Sequence, residues 1–269
     1  MKWGRPVSNP IIQAGFQEFT LTLKDGDAYA IRVPKNTRSD VLVYLKGKGA
    51  VRMDWVVEAD AYVNLFFVNE ADGIVLSETY TMLRNAEMDL AYGDFNEGDT
   101  ERDADIVLKE QGSTVRLKSA SLVKTSRKLK YRFVHQATYT YGDMENFVVQ
   151  LDKGLLSLHA IGKIEATAAN SETHQTSRVL NFNATNRAQV YPQLYIDNND
   201  VKASHAESSG QVDPEQLYYL KSRGLSADQA VALIVKGYLS SILENIQNES
   251  IKQSLSDSIQ MKVDEVCST

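Results

Sequence analysis

One cysteine among 269 residues, Cys267, sits two positions from the C-terminus. A single thiol excludes an internal disulfide, and alone it cannot hold a zinc ion or an iron–sulfur cluster. Histidine is almost as scarce, with four in all. No apolar run approaches the roughly 20 residues of a membrane span, so no membrane association is expected. The opening Met1-Lys2-Trp3-Gly4-Arg5-Pro6 lacks the apolar core of a signal peptide, and the cytoplasm is the expected location. The charge is also not basic: 29 Lys and Arg against 35 Asp and Glu give a net charge of −6. That balance argues against a phosphate-backbone binder. The densest basic cluster is Lys118, Lys124, Arg127, Lys128, Lys130 and Arg132. In it Lys128, Lys130 and Arg132 alternate with Leu129, Tyr131 and Phe133, as on the solvated face of a strand.

What is present is an ordinary globular composition, 43% hydrophobic and 24% charged, organised in two regimes. From about Ala28 to Ile196, short alternating stretches such as Val51, Met53, Trp55 and Val57, or Leu129, Tyr131 and Phe133, read as strands. Turn signals separate them: Asp25-Gly26, Asp72-Gly73, Gly142-Asp143, Asn198-Asn199-Asp200. A spacing of about 10–12 residues suits a sandwich, a barrel or a solenoid. No repeated hexapeptide chooses among them.

After Gly210 the pattern becomes helical. Asp213-Pro214-Glu215-Gln216 is a helix start, and Gly224 a stop. Ser226-Ala227-Asp228-Gln229 is a capping box that opens a helix with an apolar stripe through Ala230, Val231, Leu233, Ile234, Tyr238, Ile242 and Leu243. A more polar helix is expected from about Glu249 to Val263, with Ile251, Leu255 and Ile259 on one side. The expected division is an N-terminal extension over 1–27, a β core over 28–212 and a helical segment over 213–269.

Pro192-Gln193-Leu194-Tyr195-Ile196, then Asp200-Val201-Lys202-Ala203-Ser204-His205-Ala206-Glu207, then Gln216-Leu217-Tyr218-Tyr219-Leu220-Lys221-Ser222-Arg223-Gly224, then Leu233-Ile234-Val235-Lys236-Gly237-Tyr238 follow one another in a specific order. In that order and spacing the chain resembles the SufB/SufD family of iron–sulfur cluster assembly proteins. The resemblance implies a right-handed parallel β-helix followed by a small C-terminal helical segment. It also implies a SufC-like ABC-type ATPase docking on the helices, through Leu220, Leu233 and Tyr238, and pairing with a SufB-like paralogue or a second copy. Family members usually carry an N-terminal helical region, so this chain is expected to be a short form.

Within that resemblance the chain is SufD-like. Counting back from Pro192, the sulfur-accepting cysteine of SufB falls at or near Ser177, and a serine hydroxyl cannot carry a persulfide. The glutamates that flank the family histidine in SufB are Ser204 and Ala206 here. His205 is the candidate metal and cofactor-binding residue, its imidazole offered to a transient iron–sulfur cluster shared with a partner subunit. The isolated chain is expected to hold no cofactor and to be no enzyme. Indeed, the sequence has no G-x-x-x-x-G-K-[ST], G-x-S-x-G, H-E-x-x-H or G-x-G-x-x-G, so ATP hydrolysis falls to the partner.

Residue chemistry leaves simpler assignments open. His205 suits a turn between the β core and the helices, His135 a strand end, His159 mid-strand packing, and His174 a loop over Asn170 to Ser177. The carboxylates Asp94, Glu97, Asp99, Glu101, Asp103 and Asp105 lack the spacing of a calcium loop. A second reading is a carbohydrate-processing or carbohydrate-binding β-helix protein, which would need two carboxylates about 5–9 Å apart in a groove.

Overall fold

The computed structural model describes residues 9–151, 154–182, 187–243 and 249–267, and some side chains of the last helix, including Ile251, Leu255 and Cys267, lie outside that description. The strands are β1 (Gly15–Leu23), β2 (Ala28–Val33), β3 (Arg38–Val57), β4 (Tyr62–Asn69), β5 (Gly73–Met82), β6 (Glu87–Asp94) and β7 (Thr100–Leu108). They continue as β8 (Thr114–Val123), β9 (Ser126–His135), β10 (Tyr141–Gln150), β11 (Leu155–Ile164), β12 (Glu172–Asn181), β13 (Arg187–Ile196) and β14 (Lys202–Gln211). Their alternation has the expected cause. In β5, Ile74, Leu76, Tyr80 and Met82 are buried while Val75 is exposed, because successive side chains leave a strand on opposite faces.

Every pairing is parallel, in the order β13-β11-β9-β7-β5-β3-β4-β6-β8-β10-β12-β14, with β1 and β2 also on β3. Odd-numbered strands from β5 onward stack on the second half of β3 and even-numbered ones from β4 onward on its first half. The chain therefore winds as a β-solenoid of about seven turns. The two inner faces meet in one apolar core that runs from Ile12 to Val179. β1 lies within residues 1–27, so the sheet begins before the boundary read from the sequence.

One corner repeats on every turn. Asn36, Asp60, Asn85, Gly112, Tyr139 and Asn170 all have positive φ, between 52° and 75°. The amide of each donates to a carbonyl on the following turn: Ala59, Arg84, Gln111, Thr138, Ala169 and Asp200. Asn, Asp and Gly tolerate this left-handed geometry, and Tyr139 is the exception. This repeat is one residue wide and recurs at roughly 24 to 31 residues, which hides it from a search for a fixed hexapeptide.

Helix α1 (Pro214–Ser222) is capped by Asp213, whose side chain accepts from Glu215 N; α2 (Ala227–Leu239) opens on the full Ser226–Gln229 capping box. A 3₁₀ turn, Ser240–Leu243, and α3 (Glu249–Cys267) follow. The helices do not extend the solenoid. Val235, Leu239, Ile242, Leu243, Ile259 and Val263 instead pack on the outer face of the even-numbered sheet, against Leu42, Phe66, Val68, Phe95, Leu122 and Val149. That face would otherwise expose an apolar band.

Candidate functional site at the open end of the solenoid

β13 and β14 are the two ends of the strand order, each hydrogen-bonded to one neighbour among the described residues. All ten residues of β14 are exposed. His205 therefore lies not in a turn but in the terminal strand. Its register partner is Gln175, and the inward row beneath reads Met144, Leu117, Leu90, Leu65 and Val41. The row is apolar for five turns, becomes polar at Gln175 and ends on the His205 imidazole. The adjacent row runs Phe67, Tyr92, Ser119, Asn146, Ser177 and Glu207. Thus the two last inward positions beside each other on β14 are an imidazole and a carboxylate.

Ser177 is buried and holds a structural bond: it accepts from Asn146 Nδ2 at 3.2 Å, while Ser119 Oγ donates to Asn146 Oδ1 at 2.8 Å. Gln175, 2% exposed, donates from Nε2 to the Gln193 carbonyl at 3.1 Å. Gly162 makes room for this. A Cβ there would come within 2.9 Å of both Gln175 Nε2 and Thr173 Oγ1. On the outer face of β14, Lys202 pairs with Glu172 at 2.7 Å, and that hydrogen bond lowers the Glu172 pKa. His174 Nδ1 lies 2.7 Å from Ser204 Oγ. His174 is a strand residue of β12, not a loop residue, since the strand already begins at Glu172.

The other histidines serve packing. His159 stacks on Tyr191 with ring centroids 4.5 Å apart. His135 closes β9 with Nδ1 2.8 Å from Thr140 Oγ1, and burial pushes its pKa down to about 4. Of the basic cluster, Arg127 turns inward and is fully buried; Lys128, Lys130 and Arg132 stay outside and pair with Glu101, Asp103 and Asp105. The acidic stretch is thus occupied: Asp94 meets Arg102, Glu97 meets Lys124, and Asp99 accepts from Ser126 N. Among the described residues no three His, Cys, Asp or Glu side chains gather as metal ligands.

On the helices, Leu233 is 50% exposed, Leu220 is half-buried, and Tyr238 turns toward the sheet with its ring edge-on to Phe147 at 6.2 Å. Tyr218 and Tyr219 on α1 are exposed. Both lie in the ordered segment that carries the resemblance, but the partner contacts expected from sequence were Leu220, Leu233 and Tyr238.

The sequence comparisons agree with this architecture. Residues 29–238 match the SufBD core domain of the SUF system for iron–sulfur cluster assembly. The iron–sulfur cluster assembly protein SufD of Bacillus subtilis is 32% identical over 228 residues, covering 85% of this chain and 46% of that protein. SufD of Escherichia coli is 25% identical over 150 residues, 55% of this chain and 36% of that protein. A SufBD family protein of Pyrococcus horikoshii is 36% identical over 90 residues, 34% of this chain and 20% of that protein. The chain spans less than half the length of these relatives. With its parallel solenoid, its C-terminal helices and a core-domain match over residues 29–238, the chain belongs to the SufBD family of iron–sulfur cluster assembly proteins.

Proposed function

We propose that the chain is a non-catalytic scaffold subunit of a cytoplasmic SUF-type assembly complex. Its open solenoid end pairs with a SufB-like chain or a second copy, and its helices receive an ABC-type ATPase. One observation carries this reading: the inward row that is apolar from Val41 to Met144 ends in Gln175 and an exposed His205. A solenoid that ended in water would gain nothing from a bare row of small and polar residues with unpaired strand edges. Such edges are ordinarily capped or paired. Capping by another subunit would place His205 and Glu207 at the junction.

The donor set fits a shared site better than a private one. An imidazole suits iron, a carboxylate can support it, and thiolates would come from the partner. Iron and sulfide are here the cargo of assembly. The exposed Tyr218, Tyr219 and Leu233 form the surface offered to the ATPase.

Anaerobic reconstitution with iron and sulfide, followed by absorption spectroscopy and iron counting, tests the reading. The expected result is no stoichiometric cluster on the chain alone, and a cluster with the SufB-like partner that is lost on His205→Ala. A stoichiometric cluster on the isolated chain overturns it.

A further inference from the structure

Gln175 holds a side-chain oxygen that is buried and has no hydrogen-bond partner, directly beneath His205. The assignment of its two terminal atoms follows from chemistry. The atom 3.1 Å from the Gln193 carbonyl must be the amide nitrogen, since an oxygen there would face another acceptor. The remaining atom, Oε1, is therefore an acceptor and requires a donor. Met144, on the turn below in the same row, has none to give. On the turn above stands His205, whose ring N–H is likewise without a bond among the described residues.

We infer that the exposed His205 ring turns down onto Gln175 Oε1 to donate it a hydrogen bond, one not formed in the conformation described here, and that this fixes which imidazole nitrogen faces out of the open end. Adjacent strands lie about 4.8 Å apart, a gap that an imidazole N–H turned toward the glutamine below it can span. Leaving the oxygen buried and unbonded has a cost, and this contact removes it. The functional consequence rests on the ligand role proposed for His205. With one nitrogen held as N–H against Gln175, the other presents its lone pair to incoming iron, as buried partners do for ligating histidines elsewhere. Gln175 is thus a positioning residue, and Gly162, which leaves space for its amide, supports it. The competing donor is Thr173 Oγ1, also buried, unpartnered and on the same strand face.

The test is the tautomer of His205 in the full chain, labelled with ¹⁵N-histidine and read by long-range ¹H–¹⁵N correlation at pH 8. Four histidines make the spectrum assignable, with His205→Ala as the reference. A single tautomer is expected for His205 in the wild type and a mixture in Gln175→Met, which removes the acceptor. In reconstitution with iron(II), sulfide and the SufB-like partner, Gln175→Met should lower cluster yield about ten- to a hundred-fold. A tautomer mixture in the wild type overturns the inference even if Gln175→Met fails to fold. So does a single tautomer unaffected by Gln175→Met, which would assign the oxygen to Thr173. If instead the tautomer responds but His205→Ala leaves cluster formation intact, the ligand role falls and the contact stands.

Discussion

Arg102 and Glu78 form an ion pair, Nη1 to Oε2 at 2.6 Å, with neither side chain reaching solvent, in the middle of the solenoid. The second arm of Arg102 meets Asp94 at 3.2 Å, and the Tyr92 ring lies 3.9 Å from the guanidinium carbon. Tyr80 donates to Glu78 at 3.0 Å and receives from Tyr92 at 3.0 Å. Burial raises both phenols well above their usual range, so they act as hydroxyl donors. Burial opposes the Arg102 charge, but Glu78 and Asp94 outweigh it and the guanidinium stays protonated.

Arg102→Met should therefore destabilise the fold by about 3–5 kcal/mol, because it leaves two buried carboxylates without a cation. Urea unfolding monitored by circular dichroism gives the number. A loss below 1 kcal/mol would mean that water reaches Glu78 and Asp94.

His135 makes stability depend on pH in a defined window. Its folded pKa of about 4 lies below the unfolded value of 6.5, because burial disfavours the imidazolium. Below pH 6.5 the unfolded chain takes up a proton that the folded chain refuses, so stability falls as pH drops toward 4 and this loss then levels off. The full effect is about 3 kcal/mol. Unfolding midpoints at pH 7, 6, 5 and 4 should fall less steeply for His135→Gln than for the wild type. Parallel slopes would place the His135 ring in water.

Tyr139 occupies the corner position that Asn, Asp or Gly takes on the other turns, at φ 57°. Its side chain is exposed, so replacement removes little packing. Tyr139→Asn should raise stability by about 1 kcal/mol by relieving left-handed strain. Thermal unfolding measures it, and a lower melting temperature would show that the ring carries a contact worth more than the strain.

The proposed ATPase surface is better probed by point substitution than by removing residues 213–269. Deletion would also uncover Leu42, Phe66 and Leu122 on the outer sheet face. Leu233→Asp, at an exposed position, should keep the fold and weaken binding of the cognate ATPase about ten-fold or more. Calorimetric titration checks this, and unchanged affinity would move the docking surface off α2.

Strand and helix identities were legible in the sequence because each is written locally, in periods of two and 3.6 and in caps such as Ser226 with Gln229. The family was legible from the ordered segment between Pro192 and Tyr238. By residue chemistry alone, however, sandwich and solenoid stayed equal, since both bury alternate residues. Only the parallel register decided between them, and register is a relation between strands rather than a property of one. The same holds at the open end. His205 could be picked out by sequence, but its place above Gln175 could not, because the two are thirty residues apart and meet only where one turn stacks on the next. Arg127 and Arg102 make the point in the interior. In sequence Arg127 is one member of a basic cluster and Arg102 gives no signal, yet stacking buries both among the carboxylates of Glu78 and Asp94 and the carbonyls of Asn96 and Gly98.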